Sequence, residues 1–345
     1  MCDLEADYTT LLGRRRSVRR VLGTWSRLPS MRALGLLEPP TVVDIRHLGD
    51  AYGGDETPVV AFLRHGHGIA HVVAAQLQTD ILVHVRGAPV LCEPGFTARP
   101  AASTGTGPPT VQLDTSKWPS PVLPTINHPP KQRGRRVAVV DTGDTSGGNM
   151  VTFDGPKAFD GTAQDDNGHG TAVGDIIRAA AQTTPSVRAV RVAQPDGSCN
   201  SYDVLSGLVF CLWGDQFDVV NVSLSTLLPS QCSSALGASL SYLMRLCQAR
   251  NPDLVLVAAA GNEPTEQIAY PALVPGAHVV LATDRNGKPA QYNSQLPSGV
   301  TTTTESAFGG STGDGLGRIS RPGEPDEELV GTSYAAALVT AAMVG

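Results

Sequence analysis

Three residues of different chemical types, Asp141, His169 and Ser333, follow one another along the chain, and each stands in a motif that suits it for catalysis. A serine hydroxyl becomes an effective nucleophile at neutral pH only when a histidine accepts its proton. That histidine needs a carboxylate that holds its tautomer and stabilises its protonated form. The sequence therefore contains the three groups of an acyl-transfer triad, provided that the fold brings them together.

Each of these residues also has an ordinary structural interpretation. Asp141 follows an apolar run and precedes Thr-Gly, so it is equally well a turn residue. An aspartyl-phosphate site is another interpretation, but it favours a second Asp at the place that Gly143 occupies. His169, which stands between two glycines, could be a core histidine. Ser333 precedes an Ala-rich helical segment and could be its N-cap.

Asn262 adds a fourth group of the same chemistry. Its side-chain amide can donate to an oxyanion as that charge develops, an interaction typically worth about 10²–10³ in turnover. In a Gly-Asn pair, an asparagine is otherwise a common turn residue. Asp141, His169, Asn262 and Ser333 follow one another along the chain in this order, each in its own motif. Together they favour a peptidase over a separate structural role for each residue.

From about residue 134 to 344 the chain resembles the subtilases, the subtilisin-like serine peptidases. The resemblance rests on blocks in family order, at residues 137–143, 167–173, 221–225, 257–263, 270–272 and 331–336. It implies an α/β fold with a parallel β-sheet covered by helices on both faces. It also implies a serine endopeptidase that hydrolyses peptide bonds in a protein or peptide substrate. A catalytically inactive subtilase-like protein-binding scaffold is the alternative.

The resemblance assigns a role to each motif residue. Ser333 is the nucleophile, His169 the general base, and Asp141 the residue that orients the histidine. Asn262 and the Ser333 backbone N–H bind the oxyanion. An extended substrate is expected to pair as an added strand with the predicted binding residues Ser223, Leu224, Ser225, Ala259, Ala260 and Gly261.

The chain departs from the family pattern at a few positions. Ser225 and Thr226 stand where glycines usually end the substrate strand, so we expect narrower pockets and restricted specificity. Tyr334 replaces the usual Met after the nucleophile. The acidic run at 324–328 either attracts basic substrates or is a solvated loop.

Composition along the chain predicts three parts. Residues 1–92 form a small α+β region that contains a strand, a helix and a strand at 59–63, 69–77 and 81–85. Residues 93–133 are rich in proline and predict an extended, exposed linker. Residues 134–345 alternate strands with helices, as parallel sheets do, with strands expected at 136–141, 187–193, 217–224, 253–260 and 277–283. The first part resembles an inhibitory propeptide, and a sensing or partner-binding module is equally compatible with it.

The remaining features limit the partners of the protein. A net charge of -6 gives no general attraction to nucleic acid or anionic membranes, and no segment is apolar enough for a membrane span. The start of the chain lacks the pattern of a secretory signal, so we expect a cytoplasmic protein. The six cysteines show no metal-ligand spacing and are expected to be free thiols, unless export permits a Cys199–Cys232 bridge. His67 and His71 could share a helix face, but no carboxylate or cysteine flanks them, which favours incidental surface histidines. The sequence has no dense Asp/Asn loop of the kind that holds calcium, so we expect no metal, and we expect no cofactor.

Overall fold

The structure is a computed structural model, and it describes part of the chain. The described residues are 41–47, 59–65, 68–76, 81–88, 108–126, 136–147, 149–153, 158–162, 164–193, 195, 197, 201–212, 217–224, 244, 251–265, 267–268, 271–298 and 302–344.

Four strands precede the predicted linker and pair antiparallel in chain order. They are β1 (Thr41–His47), β2 (Val59–His65), β3 (Gly68–Gln76) and β4 (Ile81–Ala88). The strands expected at 59–63 and 81–85 are confirmed. The helix expected at 69–77 is wrong, because this segment is β3. A short apolar run is compatible with both periods, and the β-branched Ile69, Val72 and Val73 favour the strand. His71 therefore lies in a strand, and His67 is outside the described residues.

An eight-stranded sheet forms the centre of the rest of the chain. Its strands occur in the order β13-β12-β11-β10-β6-β9-β7-β8, and all neighbours are parallel except β7 and β8. All five strands expected from the sequence are present. The sheet strands are β6 (Arg136–Asp141), β7 (Asn149–Phe153), β8 (Ala158–Thr162), β9 (Ser186–Arg191), β10 (Val219–Val222), β11 (Val255–Ala259), β12 (Ala277–Thr283) and β13 (Thr303–Phe308).

Helices cover both faces of this sheet. Those described are α1 (His169–Ala180), α2 (Ser201–Leu212) and α3 (Thr332–Val344). Helices α1 and α3 pack against each other and share a buried core with Val137 and Val187 of the sheet. The next residue along β9, Arg188, lies over the ring of Phe210 in α2. Because successive strand residues point to opposite faces, α2 covers the other side.

A third, small sheet involves part of the predicted linker. Strand β5 (Thr110–Leu113) pairs antiparallel with β14 (Gly317–Ser320), which also pairs with β15 (Glu327–Glu328). A 3₁₀ turn, Thr115–Lys117, follows β5, and the Trp118 Nε1–H then donates to the Leu316 carbonyl at 2.9 Å.

Apolar residues of the same segment pack against the core that contains α1 and α3. They are Val111, Leu113, Trp118, Val122, Leu123 and Ile126. The structure thus differs from the prediction of an extended linker over 93–133, because residues 110–126 are part of the folded domain. The prolines exclude a long α-helix from this segment, but they do not exclude an edge strand, a short 3₁₀ turn and irregular packed chain.

The described helices do not combine the length and hydropathy that a bilayer crossing requires. The cytoplasmic location stays a prediction.

Trypsin is expected to leave the bond between Lys117 and Trp118 intact in the folded chain. Proteases bind extended substrate, whereas this bond lies in a helical turn that the Trp118 side chain holds to the core. The Trp118→Ala variant loses that anchor, and we expect cleavage there to be at least about tenfold faster. Timed digestion followed by mass spectrometry measures both rates. Equal rates in the two proteins would contradict the packed segment.

Candidate active site

Asp141 is the last residue of β6, and its carboxylate lies at the carboxyl end of the parallel strands, where open α/β sheets place their ligands. The residue is fully buried. Its Oδ1 accepts the Thr142 backbone N–H at 2.7 Å and lies 2.7 Å from Nδ1 of His169. A buried carboxylate of this kind fixes the tautomer of the ring, because Nδ1 must carry the proton that it receives.

His169 is the first residue of α1, and small residues on both sides allow its position. Gly168 adopts a φ of 92°, which favours glycine, and a Cβ there would meet the side chains of Ile319 and Pro109. A Cβ on Gly170 would lie 2.3 Å from the Gly143 carbonyl oxygen. The backbone around His169 therefore fits closely between its neighbours.

Asp165, which is not among the residues predicted from the sequence, holds the start of α1. Its Oδ1 accepts the N–H groups of Asn167 and Gly168 at 3.1 and 2.8 Å. Its Oδ2 accepts the Thr171 N–H at 2.8 Å and the Thr171 hydroxyl at 2.7 Å. The N-cap itself, Gly168, has no side chain for capping, so an acidic residue three positions before it was the available signal.

Ser333 is the second residue of α3 and lies almost fully buried beside the end of β10. Its hydroxyl donates to the Ser223 carbonyl at 3.3 Å. In turn, Ser223 Oγ lies 3.1 Å from Asn221 Oδ1 and 3.3 Å from the Ser333 carbonyl. Asn221 Nδ2 donates to Thr340 Oγ1 at 2.9 Å, so a buried polar network joins the strand to the helix.

Tyr334, the neighbour of Ser333, brings α3 into contact with the histidine. The two ring centroids are 5.5 Å apart at an angle of 46°. The Ser333 hydroxyl is directed to the Ser223 carbonyl rather than to the imidazole. Hydrogen bonds between nucleophile and base are often long or misaligned without substrate. The structure thus brings Asp141 and His169 into a hydrogen bond. Ser333 is adjacent in sequence to Tyr334, whose ring contacts the ring of His169.

Asn262, in the turn after β11, is held by the residue before Ser333. Its Oδ1 accepts both the N–H and the hydroxyl of Thr332, each at 2.9 Å. Thr332 Oγ1 also accepts the Gly261 N–H at 3.1 Å. Because Oδ1 must face these donors, the orientation of the amide is defined and Nδ2 is left to donate elsewhere. The spacing of residues in the sequence does not indicate that Thr332 holds this amide.

The predicted binding residues lie at the carboxyl ends of two adjacent strands, β10 and β11. Ser223 and Leu224 follow the last ladder residue of β10 and are buried. Ala259 ends β11, and the Ala260 N–H donates to the Val280 carbonyl at 3.0 Å. Gly261 is bonded to Thr332. The structure thus brings these five together at the carboxyl edge, while Ser225 lies outside the described residues.

Nearby charges control the protonation of His169, whose side chain is 24% exposed. Burial lowers the pKa of His169, but the charge and hydrogen bond of Asp141, together with the charges of Glu327 and Asp165, outweigh burial and raise this pKa above its ordinary value of 6.5. Burial, with the charges of Glu327 and Asp141, raises the pKa of Tyr334 well above 10.0, so the phenol stays neutral.

The acidic run at 324–328 makes specific pairs. Glu327 pairs with Arg321 at 2.6 Å, and Asp326 with Arg318 at 3.4 Å. Glu328 accepts the N–H groups of Gly313 and Gly315, each at 2.8 Å. These contacts limit the free negative charge that a basic substrate would meet. Across the described ranges, no three His, Cys, Asp or Glu side chains are grouped closely enough to hold a metal ion.

Comparison with known proteins gives a consistent family. A family model described as the subtilase family matches residues 133–344. Subtilisin BL from Lederbergia lenta is 31% identical over 194 residues, which cover 52% of this chain and 68% of that protein. A thermostable alkaline protease from Halalkalibacterium halodurans is 30% identical over 174 residues, which cover 48% of this chain and 45% of that protein. The chain thus spans less than half the length of the second of these relatives.

Among solved structures, the chain is similar to a cold adapted subtilisin-like serine proteinase, with a TM-score of 0.43 and 22% sequence identity between the two chains. The similarity covers 60% of this chain and 72% of that chain.

Replacing Asp165 is expected to destabilise the domain strongly. Asp165→Ala leaves several buried N–H groups without an acceptor, and we expect the free energy of unfolding to fall by about 3 kcal/mol. Asp166→Ala is the matched control, because this neighbouring carboxylate is partly exposed and its weak 3.5 Å pair with Arg191 contributes less than about 1 kcal/mol. Urea titration followed by circular dichroism measures both values. Similar losses in the two variants would contradict the capping role.

The imidazole of His169 is expected to titrate above 6.5 in the folded chain, and Asp141→Asn is expected to lower its pKa. Since the folded-state pKa is raised, protonated His169 contributes stability that is fully present below the unfolded pKa. That contribution is lost as the pH rises through the folded-state pKa. NMR titration of the ring, assigned with a His169→Gln variant, gives the pKa. An unchanged pKa in Asp141→Asn would contradict this electrostatic assignment.

Proposed function

The chain belongs to the subtilase family, and from this premise we propose that it is a serine endopeptidase that hydrolyses peptide bonds in protein or peptide substrates. The observation that carries the proposal is the 2.7 Å contact between buried Asp141 and His169 Nδ1, beside the helix that begins with Thr332 and Ser333. A carboxylate paired with one ring nitrogen leaves the other nitrogen as a base, which is the arrangement that a serine nucleophile needs.

In the proposed reaction, Ser333 Oγ attacks the carbonyl carbon of the scissile bond while His169 Nε2 takes the hydroxyl proton. His169 then gives this proton to the leaving amine as the C–N bond breaks, and the acyl group stays on Ser333. Water, deprotonated by His169, releases the acyl group and regenerates the hydroxyl. Asp141 stays ionised and stabilises the protonated ring through Nδ1.

Asn262 and the start of α3 are proposed to bind the oxyanion. Asn262 Oδ1 is occupied by Thr332, which supports a donor role for Nδ2. The Tyr334 and Ala335 N–H groups donate to the Gly331 carbonyl, and the Thr332 N–H donates to Asn262. The Ser333 N–H is the remaining donor of this turn, and the helix N-terminus adds positive potential there.

Substrate is proposed to bind in extended form along residues 223–225 and 259–261. Ser223 and Leu224 continue the direction of β10 past its last ladder residue, which supports main-chain pairing at this edge. Ser225 and Thr226 would narrow the pockets and restrict specificity. A regulatory or inhibitory role for residues 1–92 stays a prediction.

Ser333→Ala is expected to reduce peptide hydrolysis on the order of 10⁵-fold or more, because no other group can form the acyl intermediate. A covalent probe that reacts with activated serine hydroxyls is expected to label the parent chain at Ser333 and to leave the variant unlabelled. Hydrolysis of a peptide library followed by mass spectrometry measures the loss, and circular dichroism checks the fold.

Asn262→Ala separates the oxyanion role from the triad. We expect turnover to fall about 10²–10³-fold while probe labelling of Ser333 persists at a reduced rate. A parent chain that cleaves no member of the library and takes up no probe would favour the inactive scaffold instead.

A further inference from the structure

Arg321, which follows β14, is a buried cation that the proposed mechanism does not use. Its side chain is 6% exposed. Its Nε donates to the Asn167 carbonyl at 2.9 Å, and its Nη1 donates to Glu327 Oε2 at 2.6 Å. A guanidinium this deep in the protein costs free energy unless it is paired, so both contacts are needed to hold it there.

The two acceptors of Arg321 belong to the two chain segments that deliver the proposed base and nucleophile. Asn167 lies two residues before His169. Glu327, in β15, lies in the stretch of chain that leads to Ser333. Arg321 therefore joins the start of α1 to the strand before α3 through one planar group with fixed hydrogen-bond directions.

The pairing of β14 and β15 places Glu327 on the side of the hairpin that faces His169. Glu327 is the ladder partner of Ile319, and partners in an antiparallel pair share a face. The Ile319 side chain is buried against Gly168, next to His169. Glu327 remains 51% exposed, so it lies at the rim of the site above a buried contact.

Several charged or polar groups face His169 from the elements packed around it. The charges of Asp141 of β6, Asp165 before α1 and Glu327 of β15 act on the ring, and the ring of Tyr334 of α3 lies against it. Arg321 after β14 pairs with Glu327, and its charge acts on Tyr334. The negative charge of Glu327 favours the protonated ring, and the Arg321 cation that pairs with Glu327 is expected to offset that charge.

We propose that Arg321 and Glu327 are a positioning pair for His169, which holds the segment before the histidine on the strand that leads to Ser333 and sets the charge around the ring. The proposal rests on the proposed function, since it concerns the same base and nucleophile. It predicts that the two partners have opposite electrostatic effects on His169 and a common mechanical effect on its position.

The test compares Arg321→Met, Glu327→Gln and the double variant with the parent chain. Arg321→Met leaves the Glu327 carboxylate unopposed, so the pKa of His169 is expected to rise. The acidic limb of the pH profile of kcat/KM is then expected to shift to higher pH. Glu327→Gln leaves the guanidinium unopposed, so that pKa and that limb are expected to fall. The double variant is expected to return the limb towards the parent position.

Turnover at the optimal pH reports the mechanical effect. We expect kcat of Arg321→Met to fall about tenfold with KM less affected, because a displaced base slows chemistry more than binding. The double variant is expected to keep this loss. Arg321→Lys retains the positive charge but lacks the planar guanidinium. It is expected to keep the acidic limb of the kcat/KM profile at the parent position and to retain only part of kcat.

Arg318→Met and Asp326→Asn are the matched controls. This pair belongs to the same hairpin, but its side chains are 55% and 50% exposed and 3.4 Å apart. Neither control is expected to move the limb. Opposite shifts for Arg321→Met and Glu327→Gln support the proposal. Shifts in one direction, no shifts, or equal shifts in the controls overturn it.

NMR titration of His169 in the Ser333→Ala background makes the result independent of hydrolysis. If the parent chain cleaves no peptide while the titrations shift in opposite directions, the proposed function fails and the positioning pair stands. If it cleaves peptides while the titrations coincide, the pair is overturned and the function stands. Should Arg321→Met not fold, the half-exposed Glu327→Gln decides alone, and a fall in the His169 pKa is the supporting result.

Discussion

The hydrogen bond between Asp141 and His169 is the contact on which the rest of the site depends, because it joins the end of a buried strand to the first residue of a helix. It forms only if α1 begins close to the carboxyl edge of the sheet. The backbone glycines around His169 permit that approach, and Asp165 holds the first turn of the helix in place. This 2.7 Å contact thus forms only if β6 ends at Asp141, α1 begins at His169, and buried Asp165 holds the first turn of α1.

The second half of the site depends on the same side of the sheet. Helix α3 packs against α1 and lies on the strands that end near Asp141. Its first residues hold the Asn262 amide through Thr332 and meet the Ser223 carbonyl through Ser333. These polar groups of α3 and the strand ends hydrogen-bond to one another, and the proposed reaction needs such an arrangement before any substrate arrives.

Much of this arrangement could be predicted from the sequence because it depends on local pattern. Apolar runs identified five strands of the central sheet, and short motifs indicated Asp141, His169, Asn262 and Ser333 as candidate site residues. Where long-range contacts decide, local pattern was insufficient. Residues 69–76 form a strand because they pair on both sides, and residues 110–126 are held in place by β14 and the core.

Side chains that act through distant partners were also missed. Asp165 accepts four hydrogen bonds, and Arg321 contacts a carbonyl 154 positions away in the sequence. Neither role has a signature in spacing, since an aspartate in a loop and an arginine before Pro-Gly are common at protein surfaces. Only the fold shows that both are buried beside the histidine.

The contact of Pro109 with Gly168 has a consequence for the chain that precedes it. Because β5 is anchored in the domain, the chain upstream of Pro108 is joined to the domain at a point close to the helix that carries His169. A tethered segment meets its own domain at an effective concentration of about millimolar, whatever the bulk concentration of the protein. If that segment and a free peptide compete for the same surface of the domain, the tethered segment therefore has the advantage. Diluting the protein would not remove that advantage.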